Sequence, residues 1–245
     1  MNNPRFLKEG ETGMVVEFGD RIDPALVAQV RSLQNALQQE SIAAIRETVP
    51  TYRSLLIAYD PLQMHFDELK LQVERLLQHV TIDTTAAEVV EIPVCYGGLF
   101  GPDLHDVAEH AGVSEEKVIE LHSSIDYLIY MLGFTPGFPY LGGLPKEIAC
   151  PRLSSPRTVV PIGSVGIAET QTGIYPLETP GGWRLIGRTP LKLFDPKLEQ
   201  PVLLKAGDYL HFTPISLADY EMIQQQLLQN SYQVKRHRKE GGESV

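Results

Sequence analysis

Between Pro151 and Lys192 the chain sets five basic side chains, Arg152, Arg157, Arg184, Arg188 and Lys192, against two acids, Glu169 and Glu178. A local basic surplus inside a chain of net charge −10 suits a small anionic ligand. The competing reading is that arginines on short strands only tie down loops. Among them, QTGIYP (171–176) and TPGGWR (179–184) place Gln171, Tyr175 and Thr179 beside Gly181 and Gly182, where a ligand can approach the backbone closely. Turn chemistry, with threonine hydroxyls capping their own backbone, is the alternative. Upstream, GFTPGFPYLGGLP (133–145) carries Phe134, Phe138 and Tyr140. Its prolines lack amide donors and its glycines permit unusual dihedrals, so neither regular helix nor central strand is expected there. With Trp183, these rings either wall a binding groove or plug the end of a barrel.

Other arrangements fail on spacing. His105 and His110 stand five apart, about 140° around a helix, so they cannot share a metal. No metal-ligand set is identified. Cys95 and Cys150 match no zinc pattern and read as small apolar residues. The glycines at 97, 98 and 101 precede a helix and could hold a phosphate on free amides, but they lack the P-loop and GxGxxG spacings. Ser164 is not in a nucleophile elbow and receives no nucleophilic role.

The elements that must position these residues divide into modules. Thr12 to Phe18 reads as a strand; Asp23 caps a helix beginning at Pro24; Ile42 to Val49 and Tyr52 to Tyr59 read as a hairpin. Phe66 to His79 is a second amphipathic helix, with Val80 continuing its apolar side, and Glu88 to Cys95 a further strand. The order βαββαβ predicts a ferredoxin-like domain over 1–90. Residues 96 to 132 read as an acidic helical connector, with one helix opened by Pro102 and another capped by Ser114. From 133 to 190 lie 10 of the 20 glycines and 9 of the 18 prolines, which excludes long helices and predicts short strands of a compact β-barrel. Leu191 to Phe194, Val202 to Leu204 and Tyr209 to Phe212 would complete it, before a helix capped by Ser216. The fold class is therefore α+β: a small domain, a barrel domain over 91–232, and a disordered polar tail over 233–245.

The 245 residues are 43% hydrophobic and 21% charged, which disfavours disorder. The acidic balance argues against a nucleic-acid binder. No 18-residue apolar stretch and no secretory signal is visible, so a cytoplasmic location and no membrane partner are expected.

The ordered motifs GFTPGFPYLGGLP, the PR steps at 151–152 and 156–157, VPIGSVGIA (160–168), QTGIYP, TPGGWRLIGRTP (179–190), LFDP (193–196) and AGDYLHFTPI (206–215) resemble the family of 5-oxoprolinase B-subunits and KipI. That family was named earlier for allophanate hydrolase subunit 1 and is similar to part of the carboxyltransferase region of urea carboxylase. The resemblance implies a cyclophilin-like barrel over roughly 94–230. It implies a cyclic amide hydrolase subunit, opening 5-oxo-L-proline to L-glutamate with ATP as co-substrate, active in complex with the A and C subunits of 5-oxoprolinase. It also allows a second function, a KipI-type inhibitor that binds a sensor histidine kinase and blocks its autophosphorylation in sporulation. On this resemblance Arg184 and Arg188 would bind anions, with Thr179 beside them. Gln171 and the amides near Gly181 and Gly182 would hold a carbonyl or phosphate, and Tyr175 or His211 would serve proton or hydrogen-bond roles. Phe134, Phe138, Tyr140 and Trp183 would form the groove. Glu169-Thr170 stands where the family is expected to carry glycine.

Overall fold

The computed structural model describes residues 4–21, 23–79 and 87–239. The chain divides into two units, Met1–Ala86 and Ala87–Val245, close to the boundary expected at 90. In the first, β1 (Arg5–Glu9), β2 (Gly13–Glu17), α1 (Pro24–Glu40), β3 (Ile45–Pro50), β4 (Ser54–Tyr59) and α2 (Phe66–His79) form an antiparallel sheet in the order β1-β2-β4-β3 with two helices. Asp23 caps α1 by accepting from the Ala25 amide, as its position before Pro24 predicts. Val30, Leu33 and Leu37 of α1 and Leu69 and Val73 of α2 pack with Val16, Leu55 and Ile57 of the sheet into one core. Val80 lies outside the described residues.

The strand expected as the sixth element, β5 (Glu88–Tyr96), belongs to the second unit, which corrects the βαββαβ reading. Val89, Val90, Ile92 and Val94 bury both faces of β5, a pattern that suits a strand covered on both sides. Its place at the edge of the first sheet is taken by β1, which the sequence pattern does not announce because RFLKE is mostly polar and exposed.

In the second unit α3 (Leu104–Ala111) and α4 (Glu115–His122) follow β5; then come β6 (Asp126–Leu132), β7 (Pro139–Gly142), β8 (Arg157–Val160), β9 (Ser164–Ala168), β10 (Gln171–Ile174), β11 (Thr179–Gly181), β12 (Arg184–Arg188), β13 (Tyr209–Pro214), α5 (Leu217–Leu228) and β14 (Arg236–Arg238). Strand neighbours run β12-β9-β10-β7-β6-β13-β5, and β5 pairs back to β12. Seven strands thus close into a barrel, consistent with the cyclophilin-like expectation. Its interior is filled by side chains such as Ile92, Tyr127, Ile129, Val165, Ile167, Ile174, Ile186 and Phe212.

Four further expectations change. The connector ends in a strand, β6, whose Tyr127 and Ile129 alternate into the core. The aromatic-proline run does hold a barrel strand, β7, because Pro139 sits at its first position, where a missing amide is tolerated. Leu191 to Phe194 and Val202 to Leu204 meet in one isolated bridge, Phe194 to Val202, rather than two barrel strands. Within the predicted tail, β14 pairs antiparallel with β5, and Arg236 and Lys239 form ion pairs with Glu88 and Asp126; residues 240–245 lie outside the described residues.

Candidate functional site

Of the predicted residues, Phe138, Tyr175 and Trp183 share one buried cluster, with Tyr140 packed against it, on the face of β9 and β10 that lies apart from the barrel interior. Gly166 of β9 stands directly opposite Gly173 of β10. A Cβ at Gly173 would lie 3.0 Å from Trp183 Cζ3 and 3.1 Å from Phe138 Cζ, and one at Gly166 would lie 3.2 Å from Trp183 Cβ. This glycine floor lets the indole and phenyl rings rest on the sheet itself. Phe138 meets Trp183 edge-on with centroids 5.5 Å apart, and meets Tyr175 and Tyr140 at 5.5 and 5.2 Å. Phe138 and Tyr175 are 2% exposed and Trp183 7%, so these three plug the face rather than wall an open groove. Burial pushes the Tyr175 hydroxyl above its ordinary range, against a hydrogen bond from the Trp183 backbone, so it stays protonated and suits a hydrogen-bond role better than a base. A side chain at Gly181 would collide with that hydroxyl, while the Gly182 carbonyl accepts from the Leu153 amide.

Phe134 departs from the plug. It is 69% exposed, has φ +64, and sits at the centre of a three-residue turn closed by Thr135 N donating to Gly133 O at 2.7 Å. A γ-turn with positive φ is rare and strained, and here it holds an aromatic ring out in solvent, edge-on to Phe138. Glu169 also adopts φ +52 in the β9–β10 turn, the left-handed geometry for which the family's expected glycine is suited.

The arginines split into two kinds. Arg157 donates to Asp103 at 2.6 Å, and Arg184 pairs with Asp106 and lies near the Pro151 carbonyl. Asp103, 4% exposed, also accepts from the Leu185 amide at 2.6 Å. These pairs fasten the start of α3 to the barrel and neutralise both guanidiniums. Arg152 stacks 6.0 Å over the Trp183 ring, and Arg188 lies 5.1 Å over Phe100; neither has a carboxylate partner among the described residues. Of these four arginines, Arg152 and Arg188 are the ones whose charge no carboxylate among the described residues offsets. Thr179 and Gly181 lie on β11, which pairs with β8, and Gln171 begins β10.

His211 is not brought to this face. It lies on β13, separated from β10 by β6 and β7, and its Nδ1 is 2.9 Å from Asp126, which Lys239 also pairs. Among the described residues no group of three metal-binding side chains occurs, and no helix is long and apolar enough to cross a membrane.

With the rings and arginines placed, comparison with known proteins identifies a family. The family described as carboxyltransferase domain, subdomain C and D, matches residues 4–204. The chain belongs to it. A relative, the B-subunit of 5-oxoprolinase from Bacillus subtilis (strain 168), is 44% identical over 222 residues, covering 86% of this chain and 92% of its own. A crystal structure of the protein TTHA0988 matches with TM-score 0.75 and 37% identity over 83% of this chain; the chain spans only 40% of that one. K. lactis urea amidolyase matches 96% of the chain with TM-score 0.77 at 18% identity, a likeness of fold, over 16% of its own chain.

Two residues that organise the barrel of this family member escape the sequence reading. Asp103 carries a signal only as a residue next to Pro102 at a helix start, and its side chain makes no capping hydrogen bond. His122 is fully buried, with Nδ1 2.8 Å from the Tyr96 hydroxyl and Nε2 2.8 Å from Thr172 Oγ1. Thr172 donates onward to the Gly166 carbonyl, so it accepts from His122 Nε2–H, and Nδ1 accepts from Tyr96. The one sequence signal of His122 is position: it falls four residues after buried Val118, on the inward side of α4.

Proposed function

We propose that this chain is a subunit of an ATP-dependent 5-oxoprolinase, opening 5-oxo-L-proline to L-glutamate in an assembly with the A and C subunits. The observation that carries the reading is 44% identity to a 5-oxoprolinase B-subunit across 92% of that protein's length. In the reaction, the γ-phosphoryl group passes from ATP to the amide oxygen, releasing ADP. Water then attacks the activated ring carbon, and the C–N bond of the adduct opens as the nitrogen takes a proton, leaving an acyl phosphate. A second water displaces phosphate to give the free amine and γ-carboxylate of glutamate. Charge develops on the amide oxygen and on the phosphates, and the chain's contribution is positive and hydrogen-bonding groups positioned for that charge.

On this reading Arg188 and Arg152 bind anionic groups, while Arg184, held by Asp106, positions β12. Gln171 and the backbone around Thr179, Gly181 and Gly182 face the ligand as neutral hydrogen-bonding groups. Protonated Tyr175 donates rather than abstracts. The aromatic face supplies no paired carboxylate and base among the described residues, so this subunit completes a site shared with its partners. The test is reconstitution. The chain alone is expected to show no 5-oxoproline-dependent ATPase, and mixing with the A and C subunits is expected to release glutamate; turnover by the chain alone contradicts the reading.

A second reading, KipI-type inhibition of a sensor histidine kinase, draws support from the solvent-exposed Phe134 on its strained turn. Phe134→Ala would then weaken kinase binding and leave the reconstituted turnover intact.

A further inference from the structure

We propose that Ser164 and Arg188 form a subsite for one oxyanion, the carboxylate or phosphate group of a small ligand. The two residues are direct partners across the antiparallel pair β9–β12, so their side chains leave the sheet on the same face. Ser164 Oγ and Arg188 Nε are both enclosed, and neither has a hydrogen-bond partner among the described residues. Ser164 is fully buried, a costly place for an unpaired hydroxyl.

The surroundings favour an anion over a neutral acceptor. Arg157 and Arg184 each hold an aspartate, but Arg188 has none among the described residues; its guanidinium lies over Phe100, whose ring packs on Tyr220 with centroids 4.5 Å apart. Arg188 can only donate, and a serine hydroxyl can donate as well. An oxyanion oxygen takes both hydrogens at once, while its charge meets the guanidinium in a charge-assisted bond. Gly163, at φ +80, lets the backbone after Arg188 close onto β9, since a Cβ there would stand 2.4 Å from the Thr189 carbonyl oxygen. Because both atoms are closed to solvent, the ligand enters as the guanidinium lifts from Phe100 and is clamped when it returns. The choice of ligands rests on the reading above, in which 5-oxoproline brings a carboxylate and ATP brings phosphates; the geometry does not.

The test follows the Arg188 Nε–H resonance of the isotope-labelled full chain, assigned by its loss in Arg188→Lys, during separate titrations with 5-oxo-L-proline and inorganic phosphate. The expected result is a saturable shift with at least one probe. By calorimetry that probe's affinity falls about five-fold or more in Ser164→Ala and further in Arg188→Lys, which keeps the charge and loses the fork. A response to 5-oxo-L-proline alone assigns the subsite to a carboxylate, and to phosphate alone a phosphoryl group. Silence toward both probes, or unchanged affinity in Arg188→Lys, overturns the proposal whether or not Ser164→Ala folds. Silent probes with intact 5-oxoproline-dependent turnover in the assembly remove the subsite and leave the assembly reading standing; saturable probes without turnover do the reverse.

Discussion

His122 is the most tightly constrained titratable side chain among the described residues of the barrel. Burial lowers its pKa from the ordinary 6.5 to about 3, and both ring nitrogens are committed, one accepting and one donating. An unfolded chain would take up a proton near pH 6.5 that the folded barrel refuses until about pH 3. The stability tied to this residue is therefore complete above pH 6.5 and is lost as pH falls toward 3, at about 1.4 kcal/mol per pH unit. Chemical denaturation from pH 7 to pH 4.5 should show a steeper loss for the wild type than for His122→Gln, because the carboxylates titrate alike in both; parallel curves would rule the account out. Phe134 supplies a backbone counterpart. Its positive φ is a cost that glycine escapes and alanine shares, so Phe134→Gly should exceed Phe134→Ala in stability by about 1–2 kcal/mol, with the ring absent from both. Equal midpoints in urea would show that the turn relaxes without strain.

The β9–β10 hairpin shows at the scale of elements why the glycine-rich motifs look as they do. Gly166 and Gly173 are paired so that Trp183 and Phe138 can lie against the sheet. Gly173→Ala pushes a methyl group into both rings and should cost about 1–3 kcal/mol, with a matching loss of near-ultraviolet dichroism from the aromatic cluster; an unchanged signal would mean the rings do not rest there. The same hairpin marks the limit of what is legible in the sequence. Helices announce themselves through caps and periodicity: α2 spans Phe66–His79 as predicted, and Ser114 and Ser216 cap α4 and α5. Short apolar runs still show, as Val165 to Ala168 in β9 does, but strands of three or four residues that hold a proline or glycine carry too few alternations to be read, so β7, β10 and β11 pass for loop and turn. The aromatics and arginines are visible by type. Their partners are not: Asp103 lies 54 residues from Arg157, and His122 lies 50 from Thr172. No local pattern encodes such a pairing, and another of the same kind, between Asp106 and Arg184, decides that Arg184 is tied down while Arg188 is not.

At the scale of the whole molecule, the two units bury separate cores. Met14, Val16, Leu33, Leu55 and Ile57 belong to one cluster, while the residues of the barrel interior lie after the boundary at Ala86. The strand that most invites assignment to the first unit, β5, is the one that closes the second: it pairs with β13 along its length, with β12 at Cys95 and Tyr96, and with β14 at Glu88 to Val90. A chain divided at the expected boundary of 90 would cut this strand and remove the start of its ladder with β13 and β14. One divided at 86 keeps every ring neighbour of the barrel, and a domain with its own core can fold alone. Residues 87–239 should therefore give a monomer that unfolds cooperatively in urea with the near-ultraviolet aromatic signature of the full chain. Residues 93–239 should not, because Val89, Val90 and Ile92 leave the buried strand together. If both fragments fold equally well, β5 is not the closing strand; if neither folds, the barrel draws stability from the first unit as well.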